Sequence, residues 1–328
     1  MSTGYDAAVG SVAVFDRPDR ACLAIAGRAP GQMLNGILTG STPAEPERAE
    51  DGSLHGFASY TAALTPKGKL ITDGRLWLRG SEEDEGFILE VPTTGREPLL
   101  SHLGKFLPPR MASVADLTGE LRVASLVGPE AAEILTSVVF QGRVPSAELS
   151  GLEEGAWREA GQSDADRMTV VRWCDVWPEA FDVLGATGAI RRLFDLLAAS
   201  GVTRAEPEAW ATLRIEAGRP AFGVEMNEDT IPVEAGIHER AIDYTKGCYT
   251  GQEVIVRIRD RGHVNRSLRL VRLGDTPPPA AGTELFAPDS EKSAGTVASS
   301  VRSPRFGETV ALAYVRRGSE DVDLSIAG

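Results

Sequence analysis

The stretch GFASYTAALTPKGKLITDGRLWLRG, starting at Gly56, constrains the fold more than any other part of the chain. Alternating apolar residues run along two arms, with Pro66-Lys67-Gly68 between them. Proline presets φ for a turn and glycine supplies the freedom to close it, so the segment predicts an antiparallel hairpin. Asp73 lies inside the second arm among apolar neighbours. Aspartate is disfavoured in strands, and a buried carboxylate needs a partner. Asp73 therefore either points into a cleft and accepts a hydrogen bond from a ligand nitrogen, or faces solvent and caps the turn at Gly74.

The flanking segments predict a mixture of strands and helices. VAVFDRPDRACLAIAG reads as two short strands around Arg17-Pro18-Asp19, and GFILEVP, RMTVVRW, ELRVASLVG and AFDVLGA read as further strands. APGQMLNGILTG, EPLLSHLGKFL, PEAAEILTSVV, TGAIRRLFDLLAASG and EPEAWATLRIEAG carry apolar residues at helical spacing with proline or glycine at their ends. STPAEPERAEDGS is a polar loop. From Arg266 onward only strand and turn patterns remain, which predicts a small β-barrel over 266–328 after an α+β body over 1–265.

Length and charge bound the function. At 328 residues the chain accommodates two or three domains. A net charge of −13 repels phosphates and argues against nonspecific nucleic-acid binding, while leaving room for a local basic groove. Cys22, Cys174 and Cys248 are odd in number and far apart, and His55, His102, His238 and His263 show no ligand spacing. Neither a disulfide framework nor a metal site is expected, and a reducing, cytoplasmic setting fits. MSTGYDAAVGSVAVFDRPDR lacks a secretory pattern, and no apolar run approaches the ~18 residues of a membrane span. No Walker loop, GxGxxG, GxSxG or HExxH occurs.

Four further segments carry chemistry. In KGCYTGQE, Gly247 and Gly251 allow close backbone approach, and Lys246 favours a thiolate at Cys248. The plain alternative is a glycine turn holding an inert thiol. AFDVL places Asp182 between apolar neighbours, facing a cleft or solvent. LRIEAGRPAFGVEM carries Arg214, Glu216 and Glu225, whose ordinary role is ion pairing. VRIRDRGHVNR, from Val256 to Arg266, alternates basic and other residues; as a strand it lines one face with Arg257, Arg259 and Arg261, either an anion site or a solvated edge.

Taken in order, these segments resemble the YgfZ family, relatives of the glycine cleavage system T-protein, an aminomethyltransferase. KGCYTGQE matches the family signature K-G-C-[FY]-x-G-Q-E at every fixed position. LRIEAGRPAFGVEM resembles the T-protein stretch LRLEAG, and GTVASSVRSPRFGETVALAYV resembles the shared C-terminal barrel. The resemblance implies a folate-binding α+β body of two intertwined subdomains plus an antiparallel β-barrel, with tetrahydrofolate in a central cavity. It places Asp73 at the second acid of the T-protein hairpin pair, Thr72 at the first, Tyr60 before the hairpin, and Asp182 at the acid that holds the pterin. Glu216 joins this cofactor set, and Cys248 with Lys246 forms the reactive one. It further implies a monomeric accessory factor for iron–sulfur proteins or their assembly factors. The T-protein segment YTGEDG is DVWPEA here, a departure that tells against aminomethyl transfer. Folate-dependent aminomethyl or methyl transfer is the alternative, and a binding-only scaffold with an incidental Cys248 is a third possibility.

Overall fold

The computed structural model describes residues 3–50, 52–79, 86–161, 163 and 165–326. Its first half runs α1 (Thr3–Gly10), β1 (Ala13–Asp16), β2 (Arg20–Gly27), α2 (Pro30–Ile37), β3 (Glu47–Arg48), β4 (Leu54–Phe57), β5 (Ser59–Leu64), β6 (Leu70–Leu78), β7 (Gly86–Pro92), α3 (Thr93–Phe106), β8 (Ala112–Asp116), β9 (Leu121–Val127), α4 (Ala131–Val138) and α5 (Ser146–Ser150). The second half adds β10 (Ala156–Ala160), β11 (Met168–Arg172), β12 (Ala180–Ala186), α6 (Thr187–Ala199), β13 (Thr203–Arg204), α7 (Pro207–Glu216), α8 (His238–Ala241) and α9 (Gln252–Arg261). The C-terminal strands are β14 (Arg266–Arg272), β15 (Glu284–Phe286), β16 (Ser293–Ser303), β17 (Glu308–Arg316) and β18 (Ser325–Ile326).

The hairpin is present. β5 and β6 pair antiparallel with Tyr60 opposite Arg75 and Ala62 opposite Asp73. The turn closes when Thr65 N–H donates to the Lys69 carbonyl, and Gly68 takes φ +74°. Period-two geometry sends Thr72, Leu76 and Leu78 to one face of β6 and Asp73, Arg75 and Trp77 to the other. Leu76 and Leu78 join a core with Leu34 of α2 and Leu99 and Leu103 of α3. Trp77 joins Trp157, Trp173 and Leu184 from the larger sheet. β6 is thus buried on both faces along its length.

β6 belongs to a five-stranded sheet, β5-β6-β7-β2-β8. An eight-stranded sheet, β13-β1-β9-β12-β11-β10-β4-β3, covers its polar face. The two strands around Arg17-Pro18-Asp19 form, but they do not pair with each other. β1 pairs with β9 in the large sheet and β2 with β7 in the smaller one, so the chain crosses between layers at this turn.

Residues beyond Arg266 form a third, antiparallel sheet, β14-β17-β16-β15-β18. Its described pairings run from β14 to β18, and among them none closes the sheet into the expected barrel. Ile215 of α7 packs on Val310 and Leu312 of β17, fastening this sheet to the body. The segment from Val256 does correct an expectation: it is the end of helix α9, not a strand. Ile255 is buried beside Leu64 and Leu70 of the hairpin, and Glu253 pairs with Arg257 one turn on, at 2.7 Å.

Candidate functional site

Asp73 lies mid-strand in β6 and is buried. Its Oδ2 accepts the Tyr60 hydroxyl at 2.7 Å. Its Oδ1 is buried and has no hydrogen-bond partner. Leaving such an oxygen unpaired costs on the order of 1–3 kcal/mol. Burial pushes the Asp73 carboxyl up; Arg20 and the Tyr60 bond oppose that shift, and Asp175 adds to it. Burial and the Asp73 charge raise the Tyr60 hydroxyl far above its ordinary value, so it stays a donor. The Arg240 guanidinium covers the Tyr60 ring at 4.5 Å. The result is an open acceptor held in one orientation inside the fold.

Two residues further along the same face, Arg75 presents the opposite situation. It is 2% exposed, pairs with Glu90 at 3.3 Å, and bonds directly to Asp175 and Asp182. Arg20 binds the same Glu90 oxygen, Oε1, and Arg240 ties Asp175 at 3.0 Å and also pairs with Glu154. Burial acts upward on the Asp175 carboxyl, but Arg75 and Arg240 outweigh it and hold that group well below the usual range. Asp182 also accepts the Ser125 hydroxyl on its other oxygen. Both oxygens of Asp182, the expected pterin acid, are therefore engaged inside the protein. Arg75, which organises this cluster, was not legible from the sequence because its partner Asp182 lies 107 residues away.

KGCYTGQE is seated on the hairpin turn and on the end of α2. The Lys246 ammonium donates to the carbonyls of Leu38 at 2.8 Å and Gly40 at 2.6 Å. Burial lowers its pKa to about 8, with Asp243 opposing. Two of its three N–H donors are thus taken by backbone. Thr250 N–H donates to the Gly36 carbonyl, and Tyr249 is buried in the cluster that holds Ala62 and Leu64, with Tyr60 at its edge. Gly251 takes φ +85°, and a Cβ there would lie 2.6 Å from the Thr65 carbonyl, so the motif needs glycine at this position. Cys248 is exposed on this turn.

Glu216 sits apart from these groups. One oxygen accepts the Tyr5 hydroxyl at 2.8 Å; the other accepts the Ser303 hydroxyl and Arg305 N–H. It joins α1 and α7 to the turn between β16 and β17. Glu225 accepts a bidentate pair from Arg214 at 2.8 and 3.0 Å, as ordinary ion pairing predicts, and also the Ser299 hydroxyl.

The structure therefore brings Tyr60 and Asp73 into contact and sets the Lys246–Cys248 turn on the same hairpin. It places Asp182 in the Arg75 cluster and Glu216 at the third sheet. A cavity of about 1290 Å³ lies between the two body sheets beyond Trp77 and Trp157, and none of the expected site residues lines it. Among the described residues no group of His, Cys, Asp and Glu is arranged to hold a metal ion, and no helix is long and apolar enough to cross a membrane.

The sequence model of the GCVT N-terminal domain family matches residues 3–246. The chain belongs to this family. An aminomethyltransferase of Rubrobacter xylanophilus is 29% identical over 267 residues, covering 79% of this chain and 66% of the relative, so the chain spans just under two thirds of that relative's length. The tRNA-modifying protein YgfZ of Escherichia coli O45:K1 is 27% identical over 234 residues, covering 70% of this chain and 67% of the relative. The chain is a YgfZ-like member related to the T-proteins. The crystal structure of glycine cleavage system aminomethyltransferase T from Bartonella henselae matches with a TM-score of 0.77 at 22% identity, over 95% of this chain and 80% of that one. The fold is accordingly that of the T-protein, with mixed α/β content and a C-terminal antiparallel sheet.

Proposed function

We propose that this protein binds tetrahydrofolate, or a one-carbon derivative of it, at Tyr60 and Asp73, and with the Cys248 thiol supports the assembly or repair of iron–sulfur clusters in partner proteins. The observation that carries the reading is the buried, unpartnered Oδ1 of Asp73. A reduced pterin offers N–H donors on a flat ring, and such a donor would satisfy that oxygen while Tyr60 holds the other. The fit is partial. Asp182 and Glu216 have their oxygens engaged within the protein, so Asp73 and Tyr60 carry the polar recognition in this chain.

When bound, the folate would supply one-carbon or reducing chemistry. The chain's own residues do the rest. Asp73 orients a ligand nitrogen, Arg240 holds the Tyr60 ring, and Lys246 pins the cysteine turn to α2. Cys248 is exposed on the turn that packs against the same hairpin, where a partner protein can reach it. We place the division between body and C-terminal module at 265/266, and the protein as a cytoplasmic monomer.

Anaerobic calorimetry with tetrahydrofolate tests the ligand. Binding by the wild type that Asp73→Ala weakens supports the reading, and no binding by the wild type overturns it. Restoration of iron–sulfur enzyme activity in deficient cells tests the thiol. Cys248→Ala that restores activity fully removes the cysteine from the function. A second reading, aminomethyl transfer, draws on the aminomethyltransferases among the chain's relatives. It requires methylene-tetrahydrofolate formation from an amine donor, and absence of turnover discards it.

A further inference from the structure

The Lys246 amine is a nucleophile that the folate reading uses only as a pin. Its Nζ donates to the Leu38 carbonyl at 2.8 Å and to the Gly40 carbonyl at 2.6 Å, and among the described residues it makes no ion pair. Asp243 acts on it by charge, but its oxygens accept the Ser41 hydroxyl and the Thr245 N–H and hydroxyl. The Tyr249 ring lies 5.6 Å from Nζ. Lys69 shows the ordinary alternative, an ammonium closed by the Asp229 carboxylate at 2.6 Å.

An ammonium has three N–H donors. Here backbone carbonyls take two, so one valence of the nitrogen is open. Loss of the proton on that valence leaves both carbonyls satisfied and puts a lone pair in its place. Burial favours that loss, lowering the pKa to about 8 against the opposing charge of Asp243. The same count selects the product. A single tetrahedral carbon on the open valence leaves a protonated nitrogen with two N–H groups, one for each carbonyl. An amide or imine nitrogen keeps at most one and orphans a carbonyl. An anionic adduct, such as a carbamate, would face two carbonyl oxygens and Asp243 with no cation acting on the amine among the described residues.

We propose that Lys246 captures small aldehydes and holds them as a carbinolamine. The free amine attacks the aldehyde carbon. An N–C bond forms, the C=O π bond breaks, and its oxygen takes a proton from the nitrogen. The nitrogen then takes a proton from water and regains two N–H donors, with no oxidant or reductant involved. Gly40 N–H donates to Thr61 Oγ1 at 2.9 Å, which ties the capture site to β5 next to Tyr60. The inference goes beyond the folate reading and does not rest on it, because every group in the argument belongs to the amine and the segments around it.

Reductive trapping tests the proposal on the wild-type protein without folate. Formaldehyde with cyanoborohydride at neutral pH converts an accessible lysine first to methyl-lysine and then to dimethyl-lysine, the hydride reducing the dehydrated adduct each time. Peptide mass spectrometry reads each site. Lys246 is expected to react about tenfold faster than the exposed Lys67, Lys105 and Lys292. It is also expected to stop at one methyl where those sites go on to two, because a second methyl would orphan a carbonyl. Slower reaction at Lys246 than at the exposed lysines, as a merely structural pin would show, overturns the proposal. Dimethylation of Lys246 in step with them overturns it as well, since the two carbonyls would then not select the product. Failure of tetrahydrofolate to bind removes the folate reading and leaves this labelling pattern as expected.

Discussion

Asp73 and Arg75 are two residues apart on one strand, face the same sheet and are both buried, yet they are satisfied very differently. Arg75 is surrounded by three carboxylates, each further bound by another arginine or a hydroxyl. Asp73 has one hydroxyl partner and an oxygen with none. Burial cost is the same kind of penalty in both places. In one it is offset within the protein, and in the other it is left open. A closed network organises the interface between two sheets, whereas an open acceptor at the same depth is what a ligand would complete.

The largest effect that could break this comparison is on stability. Arg75→Leu leaves Asp182 buried without a cation and takes from Glu90 and Asp175 one of the two arginines each has, which is expected to destabilise the fold by about 3–5 kcal/mol in denaturant melts. A loss under ~1 kcal/mol would mean that the cluster does not hold the sheets together. Asp73→Asn is expected to act in the opposite sense. It removes a strained charge and keeps a Tyr60 acceptor, so the free protein gains about 1 kcal/mol while tetrahydrofolate affinity falls about tenfold. A variant that loses stability and keeps affinity would place Asp73 with Arg75 as structure.

The acid dependence sharpens the same contrast. The folded carboxyl of Asp73 is raised by burial, so the cost of ionising it is present at neutral pH and disappears as pH falls through that raised value. The stability advantage of Asp73→Asn should therefore shrink as pH drops from 7 towards 4. Asp175 has the reverse sign. Burial opposes its ionisation, but Arg75 and Arg240 depress its folded pKa, so its contribution is present above the ordinary carboxylate range and is lost as pH falls below it. Thermal melts of both proteins across this range measure the two slopes. A gap that widens on acidification contradicts the reading of Asp73.

Much of this was legible locally. Alternation fixed the β5–β6 hairpin, and an aspartate among apolar strand residues flagged Asp73, because both signals lie within one short window. Family resemblance, rather than pattern, pointed to Tyr60. Long-range satisfaction was not legible. Nothing near Asp182 announces Arg75, and nothing near Glu216 announces Tyr5 or Ser303, since those partners meet only after two sheets and the third module assemble. α9 misled for a different reason. V-R-I-R has a two-residue alternation and β-branched side chains, yet Ile255 is buried against the hairpin and Glu253 meets Arg257 across one turn, so tertiary packing overrode local propensity. Pairing across the Arg17–Asp19 turn failed similarly: each strand has a better partner in a different sheet.

The smallest effect bears on Glu216, which resemblance assigns to the ligand and the geometry assigns to the junction of α1, α7 and the third sheet. Tyr5→Phe deletes one of its three donors and leaves the Ser303 hydroxyl and Arg305 N–H in place. The expected cost is about 0.5–1.5 kcal/mol, towards the lower end because the carboxylate keeps two partners. Tetrahydrofolate affinity should not change, since Glu216 stands at the junction with the third sheet rather than at the Asp73 hairpin, even though the variant frees its Oε2. If the Tyr5→Phe protein instead binds tetrahydrofolate several-fold more tightly or more weakly, Glu216 touches the ligand. The site would then extend from the Asp73 hairpin to the third sheet, and the contrast between open and closed carboxylates would have to be redrawn with Glu216 among the open ones.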